Sequence, residues 1–327
     1  MSNCATAADP LAEVRAACRL VAERAEQVTI NRPAVAAYVQ ALPLEQAALP
    51  ALDAEAHYVG FGDDTVAFLV TLDAINFGSG YFPHLRKKPN RSGYFTIATA
   101  LTEFYRNHGP LSARQLVRLS PEDCARIFGQ DLSNEPVAEL MRLFASALND
   151  LGRYLLDRFA GSFIRLIEAA AGSAARLTKL LTEMPFFNDV LSYDKLRVPF
   201  FKRAQLTAAD LAIAFEGKGP GRFNDLQRLT LFADNLVPHV LRVDGLLLYT
   251  EQLAARIDAA QLIPRGSKEE VELRACALHA VELMVAELTR AGREISPMQL
   301  DYLLWNRGQQ PYYKKIHPRH RTRTVFY

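Results

Sequence analysis

The stretch Leu231-Phe232-Ala233-Asp234-Asn235-Leu236-Val237-Pro238-His239-Val240-Leu241-Arg242 decides how this chain is read. Taken as one helix, Leu226, Leu229, Ala233, Leu236, Val237 and Val240 fall on a single apolar stripe, the core face. Pro238 disturbs that helix, because it cannot donate to the carbonyl four residues back, that of Asp234. Either the helix kinks there or a new one begins near Pro238, since proline is welcome in a first turn. In the second case Asp234 stands just before a helix N-terminus, whose partial positive charge favours a carboxylate. Two readings stay open: Asp234 caps the second helix, or an acid among apolar residues at a helix break carries chemistry.

Working outward, the pattern is mostly helical. Asp9-Pro10 starts a helix reaching about Glu26, and a shorter one follows Pro33. Asp63-Asp64 opens an apolar helix through Phe68, Leu69, Leu72 and Ile75. The loop from Asn76 to Pro83 carries two glycines and three aromatics, and either packs on the core or lines a pocket. Lys87 to Gly93 reads as a hairpin or turn. Helices follow over Phe95–Asn107, from Ser120-Pro121, over Asn134–Phe159, Ser162–Ala171 and Ser173–Thr182. Asp194-Lys195 turns a short hairpin between Val190-Leu191 and Val198 to Phe201. Thr207 and Asp210 suggest a capping box for a helix ending at Gly217. Gly217-Lys218-Gly219-Pro220-Gly221 is a tight glycine-rich connection that either only turns the chain or lets backbone approach a ligand. Ser267 caps a long helix to about Gly292, in which His279 is read as packed. The fold class is therefore mostly α, with one or two minor β-hairpins.

A second informative helix starts at Ser296-Pro297-Met298-Gln299, with a capping-box Gln, and runs to about Asn306. Leu300, Leu303 and Leu304 share its core face. Asp301, Tyr302, Trp305 and Asn306 lie on the other side, where a solvated face would hold Lys, Glu and Arg. Such a set either packs on another helix or stacks a flat ring and hydrogen-bonds its edge.

The 327 residues suggest about two domains by length, and half of them are hydrophobic. There are 38 Lys+Arg against 36 Asp+Glu, a balance that argues weakly against general nucleic-acid coating. The balance is local, because Arg307, Lys314, Lys315, Arg319, Arg321 and Arg323 meet no acid between Tyr302 and Tyr327. Clustered cations with Tyr312, Tyr313, Phe326 and Tyr327 predict an end, 307–327, that docks on the body and offers an anion site. The four cysteines show no metal-ligand spacing, which fits a reducing cytoplasm and gives no zinc site. No apolar run reaches the ~18 residues of a membrane span.

With these segments assembled, the chain resembles the queuosine salvage protein family, the queuosine 5′-phosphate N-glycosylase/hydrolases, over nearly its whole length. The likeness rests on Leu72-Asp73-Ala74-Ile75-Asn76-Phe77, Ser92-Gly93-Tyr94-Phe95 and Phe200-Phe201-Lys202-Arg203-Ala204-Gln205. It continues through Glu216-Gly217-Lys218-Gly219, Phe232-Ala233-Asp234, Leu300 to Trp305, and the His-Arg-x-Arg stretch within Arg319 to Tyr327. Their order and spacing carry it, rather than any single motif. A glycine-rich turn followed by an Asp is also similar, by analogy of fold, to helix-hairpin-helix DNA glycosylases.

The resemblance implies a single compact helical domain over 1–327 and hydrolysis of the bond joining the base queuine to ribose 5-phosphate. It implies a catalytic carboxylate at Asp234 and base contacts at Phe232, Asp301, Tyr302, His57 and Asn306. Some members have Asp where this chain has Asn306, which keeps hydrogen bonding and removes a charge. Lys202, Arg321 and Arg323 are the expected phosphate ligands. The expected partners are the nucleotide and free queuine, with no metal, no cofactor, no membrane and no stable nucleic-acid complex. Two other readings remain: a DNA-binding or DNA-repair glycosylase of the helix-hairpin-helix type, and a non-catalytic nucleotide-binding helical protein.

Overall fold

The computed structural model describes residues 9–47 and 51–327, so Cys4 and the end of the Ala41–Pro50 segment lie outside the described residues. In chain order the first half holds α1 (Pro10–Arg24), β1 (Val28–Ile30), α2 (Val35–Ala41), α3 (Asp63–Ala74), α4 (Gly93–His108), α5 (Ala113–Leu116), α6 (Pro121–Phe128) and α7 (Glu135–Phe159). There follow α8 (Phe163–Ala169), α9 (Ala174–Leu181), β2 (Val190–Tyr193), β3 (Leu196–Pro199) and α10 (Lys202–Ala214). The last part holds α11 (Leu236–Val243), β4 (Leu247–Tyr249), α12 (Glu251–Asp258), α13 (Lys268–Arg290), α14 (Pro297–Gly308) and α15 (Pro311–Ile316). None of these helices is long and apolar enough to cross a membrane.

The protein is mostly helical, with two small antiparallel sheets. β2 and β3 form the hairpin, Val190 opposite Pro199 and Tyr193 opposite Leu196. Its turn residues Asp194 and Lys195 both have positive φ, 46° and 68°, as a two-residue hairpin turn with the right-handed strand twist requires. The other sheet is no hairpin: β1 pairs with β4, more than 200 residues on, Val28 opposite Tyr249. Lys87 to Gly93 forms a turn and the start of α4, not strands.

Two corrections concern the start of helices. Leu226 to Val243 is not one helix. A 3-10 turn over Leu226–Arg228 gives way to extended chain, and α11 begins only at Leu236. Pro238 is its third residue, so its missing N–H costs nothing there, and the Asp234 carboxylate takes the Leu236 N–H at 2.7 Å instead. Thr207 and Asp210 do not cap a helix either. α10 starts at Lys202, directly after Phe201 in the left-handed region (φ 49°), and Thr207 Oγ1 donates to the Arg203 carbonyl inside it.

α13 is the axis of the molecule. Every residue from Glu270 to Val281 is buried, His279 among them, and α1, α2, α11, α14 and both sheets pack around it. A helix covered on all sides needs partners for its polar side chains. Glu272 accepts the Gln27 and Val28 N–H groups (2.6 and 3.1 Å) and the Tyr193 hydroxyl (2.8 Å), tying both sheets to the axis. Arg274, wholly buried, is held by Asp189 through Nη1 and Nη2 (2.9 and 2.5 Å), and its Nε donates to the Ala233 carbonyl at 2.9 Å. Its guanidinium lies over the rings of Phe200 and Tyr327, 3.9 and 4.6 Å from their centroids.

The basic C-terminal segment lies on the body. Asn235 Nδ2 donates to the His320 carbonyl (3.1 Å), and the Ile263 N–H donates to the Arg321 carbonyl (2.8 Å). The Gly78 N–H donates to the Tyr327 carbonyl (2.9 Å), and the Tyr327 hydroxyl donates to Glu270 (2.9 Å). Gly80 lets the two chains touch, since a Cβ there would stand 2.3 Å from the Thr322 carbonyl oxygen.

Two stability outcomes follow. Gly80→Ala is expected to cost about 1–3 kcal/mol in denaturant unfolding and to expose the last segment to protease, because backbone must move to admit the methyl. Arg274→Met is expected to cost about 3–5 kcal/mol by leaving Asp189 buried and uncompensated. Adding Asp189→Asn should restore part of that loss in a double-mutant cycle.

Candidate functional site

The extended segment before α11, the late helix α14, the start of α10 and the loops after residues 51, 76 and 90 surround one cavity of ≈ 1010 Å³. That is room for a nucleotide-sized ligand. Asp234 lines it and is half-buried. Oδ1 accepts the backbone N–H groups of Leu236 (2.7 Å) and, more weakly, Val237 (3.4 Å), at the positive end of α11. Among the described residues nothing donates to Oδ2. Capping and facing a cavity are thus two uses of one carboxylate.

Asp301, on α14, lines the cavity and is 5% exposed. It accepts the Phe232 N–H at 3.1 Å, so the late helix and the Phe232–Asp234 segment are locked together. Burial pushes the Asp301 carboxyl well above the usual carboxylate range, and the neighbouring charge of Asp234 adds to it. Phe232 and Tyr302 meet edge to face, with centroids 6.2 Å apart. Tyr302 donates to Asp210 at 2.7 Å. Trp305 meets Tyr94 and Phe95 edge-on, and Asn306 is exposed at the rim. So the face of α14 that lacked Lys and Glu lines a cavity and also meets α4 and α10 through Trp305 and Tyr302.

His57 is buried and fixed from both sides. Nδ1 is 2.8 Å from the Asp53 carbonyl oxygen and Nε2 is 2.9 Å from the Tyr94 hydroxyl. A carbonyl only accepts, so Nδ1 carries a hydrogen.

Lys202 is the first residue of α10 and is 6% exposed. Its backbone N–H reaches Asp189, at 3.3 Å. Among the described residues its ammonium has no ion pair within 4 Å. Burial pulls its pKa down, while the charges of Asp234, Asp73 and Asp301 hold it up.

The tail contributes unequally. Arg321 lines the cavity, with one Nη donating to the Ala260 carbonyl. Arg323 does not line it: its guanidinium turns to Glu139, 3.5 Å away, and lies over Tyr81. The expectation that Arg323 reaches the cavity therefore fails: two residues from Arg321 it would share a side in a regular strand, and its contacts with Glu139 and Tyr81 draw it away instead. Arg319 takes its place in the lining. It donates to the Gly308 carbonyl (3.0 Å), and burial lowers its pKa against the opposing charge of Asp234. Lys314 and His317 stand at the same rim.

Sequence reasoning missed Asp210 and Asp73. Asp210 lines the cavity at 3% exposure, and Asp73 lies fully buried behind it. The signal for Asp73 was a lone acid at the end of an otherwise apolar helix, α3. Asp210 was hidden by its spacing from Thr207. The loop 76–83 serves both purposes offered for it: Tyr81 packs in the core, while Asn76, Ser79 and Phe82 line the cavity. The glycine-rich turn at 217–221 lies elsewhere, and Gly219 and Pro220 border a smaller hollow. Among the described residues no group of three or more His, Cys, Asp or Glu could hold a metal ion.

Aromatic walls, buried acids, the half-buried Asp234 and a cationic rim make a place for a flat polar ring joined to an anionic group. A family model described as "Queuosine salvage protein" matches residues 56–327. A Sphaerobacter thermophilus protein named "Queuosine 5′-phosphate N-glycosylase/hydrolase" is 36% identical over 314 residues, covering 94% of this chain and 96% of that one. Proteins of the same name from Dictyostelium discoideum and Mus musculus are 32% and 34% identical, covering 84% and 72% of this chain and 82% and 72% of their own. Through these matches and the cavity they encompass, the chain belongs to the queuosine salvage protein family.

Proposed function

We propose that this protein hydrolyses the N-glycosidic bond of queuosine 5′-monophosphate and frees the base queuine for reuse in tRNA modification. The observation that carries the reading is Asp234: a carboxylate fixed by backbone N–H groups through one oxygen, with the other left to a cavity of nucleotide size. The names of the relatives agree with it. They lend nothing to a DNA-repair or a purely binding role. We read the mostly helical chain, with its glycine-rich turn some way before the Asp, as one domain of the helix-hairpin-helix glycosylase kind working in the cytoplasm.

As the bond from the ribose C1′ to the base nitrogen breaks, its electron pair leaves with the base and positive charge grows on the sugar. Asp234 Oδ2 stabilises that charge, as paired carboxylates do in glycoside hydrolysis. Water then supplies hydroxyl to C1′, its proton passing to solvent or Asp234, and ribose 5-phosphate results. Queuine is a 7-deazaguanine with no N7 to protonate, so the leaving base is stabilised at its edge. Asp301, whose carboxyl burial pushes upward, hydrogen-bonds there, with Tyr302, His57 and Asn306 completing the edge and Phe232 lying on the ring. Lys202, Arg319 and Arg321 hold the phosphate, which positions the sugar over Asp234.

Chromatography for free base after incubation with queuosine 5′-monophosphate tests the reading directly, and no release by the wild-type protein overturns it. Asp234→Asn is expected to lower turnover by about 10²–10³-fold or more with the melting temperature retained. Lys202→Ala and Arg319→Ala are each expected to lower kcat/KM for the nucleotide about tenfold or more, and for the nucleoside much less. Equal losses on the two substrates remove these residues from phosphate binding.

A further inference from the structure

The proposed reaction uses Asp234 and Asp301, yet the closed end of the cavity holds two more acids. Asp210 is 97% buried, being 3% exposed, and lines the cavity. Tyr302 occupies its Oδ1 at 2.7 Å, and among the described residues nothing donates to Oδ2. Asp73 lies behind it with neither carboxylate oxygen in hydrogen-bond geometry; Asn76 and Thr207 are its nearest polar neighbours. Four carboxyls thus come from α3, α10, α14 and the Phe232–Asp234 segment, with the buried ammonium of Lys202 among them and the Arg203 guanidinium beside Asp73.

The acids stand in an order. Hydrogen bonds give the order: Asp301 accepts the N–H of Phe232, two residues before Asp234, and the next residue on α14, Tyr302, donates to Asp210. The series therefore runs Asp234, Asp301, Asp210, with Asp73 buried behind the lining. A ligand whose anomeric carbon meets Asp234 and whose ring edge meets Asp301 extends its far substituent to Asp210.

Resting on the function proposed above, we infer that Asp210 is a specificity-determining residue: its free oxygen pairs a positively charged amine on the far side of the base, with Asp73 keeping the place electronegative. A site of this kind prefers a base with an alkylammonium substituent to the same ring without one. The alkylammonium of queuine meets that requirement, and the assignment moves the ammonium partner from Asp301 to Asp210. Asp301 is left for the ring edge.

Burial pushes the carboxyls of both Asp210 and Asp73 upward. The groups facing them are His57, Tyr94 and Tyr302, and the charges of Lys202, Arg203 and Asp301. A cation arriving at Asp210 favours its ionised form, and a proton leaves for solvent.

The test compares queuosine 5′-monophosphate with 7-deazaguanosine 5′-monophosphate, which has the same ring and phosphate and no amine. Asp210→Asn is expected to lower kcat/KM for the first by about 10- to 100-fold, the worth of a charge-assisted hydrogen bond, and for the second by less than about threefold. Asp301→Asn is expected to harm both. If the analogue turns over too slowly, inhibition by queuine against inhibition by 7-deazaguanine reads the same difference. Should Asp210→Asn fail to fold, calorimetry of the wild-type protein in two buffers of different ionisation enthalpy decides. Queuine binding is expected to release a proton and 7-deazaguanine binding none. Equal losses on the two nucleotides, or equal proton release with the two bases, overturns the role of Asp210. That result is distinct from absent cleavage of queuosine 5′-monophosphate, which overturns the proposed function itself.

Discussion

A single buried guanidinium holds the site together. Arg274 draws four separate pieces of chain to one point. Asp189 grips its two terminal nitrogens, the Ala233 carbonyl takes its Nε, and the rings of Phe200 and Tyr327 cover its faces. Asp189 also accepts the backbone N–H of Lys202, so the start of α10 is fixed by the same pair. A charge this deep is expensive to bury, and only complete pairing makes it tolerable. The return is positional. The residues on either side of Ala233 are Phe232 and Asp234, so anchoring that one carbonyl sets the ring and the carboxylate that line the cavity.

The cavity then sorts its acids by surroundings rather than by type. Asp301, Asp210 and Asp73 are buried, and burial pushes their carboxyls upward. Asp234 is half-buried and receives two backbone N–H groups at a helix N-terminus. Identical side chains thus meet different surroundings within one cavity.

Much of this was legible in the sequence, and the reasons are specific. Pro238 marked the helix break because its chemistry is local, and the polar face of α14 stood out because no solvated helix carries Asp, Tyr, Trp and Asn together. Asp194-Lys195 signalled its turn for the same local reason. The stripe through Leu226 to Val240 misled, because extended chain crossing a core is as apolar as a helix face; periodicity alone cannot separate them. Thr207 and Asp210 misled in the opposite way, having the spacing of a cap inside a helix that started five residues earlier. The pairing of β1 with β4, the approach of Tyr327 to Arg274 and the divergence of Arg321 from Arg323 are tertiary facts. No window of neighbouring residues contains them.

The choice of a helix N-terminus for Asp234 follows from what hydrolysis demands. Positive charge lives on the sugar only while the bond breaks, so the opposing charge must already be in place and must not need to turn. Full burial pushes a carboxyl towards its neutral form, which opposes a cation weakly. One fully in water would be screened and free to rotate. Two backbone N–H groups and the end of α11 hold Asp234 between these extremes. Pro238 completes the arrangement: by preventing the helix from running back through residue 234, it leaves that side chain to cap the helix with one oxygen and face the cavity with the other.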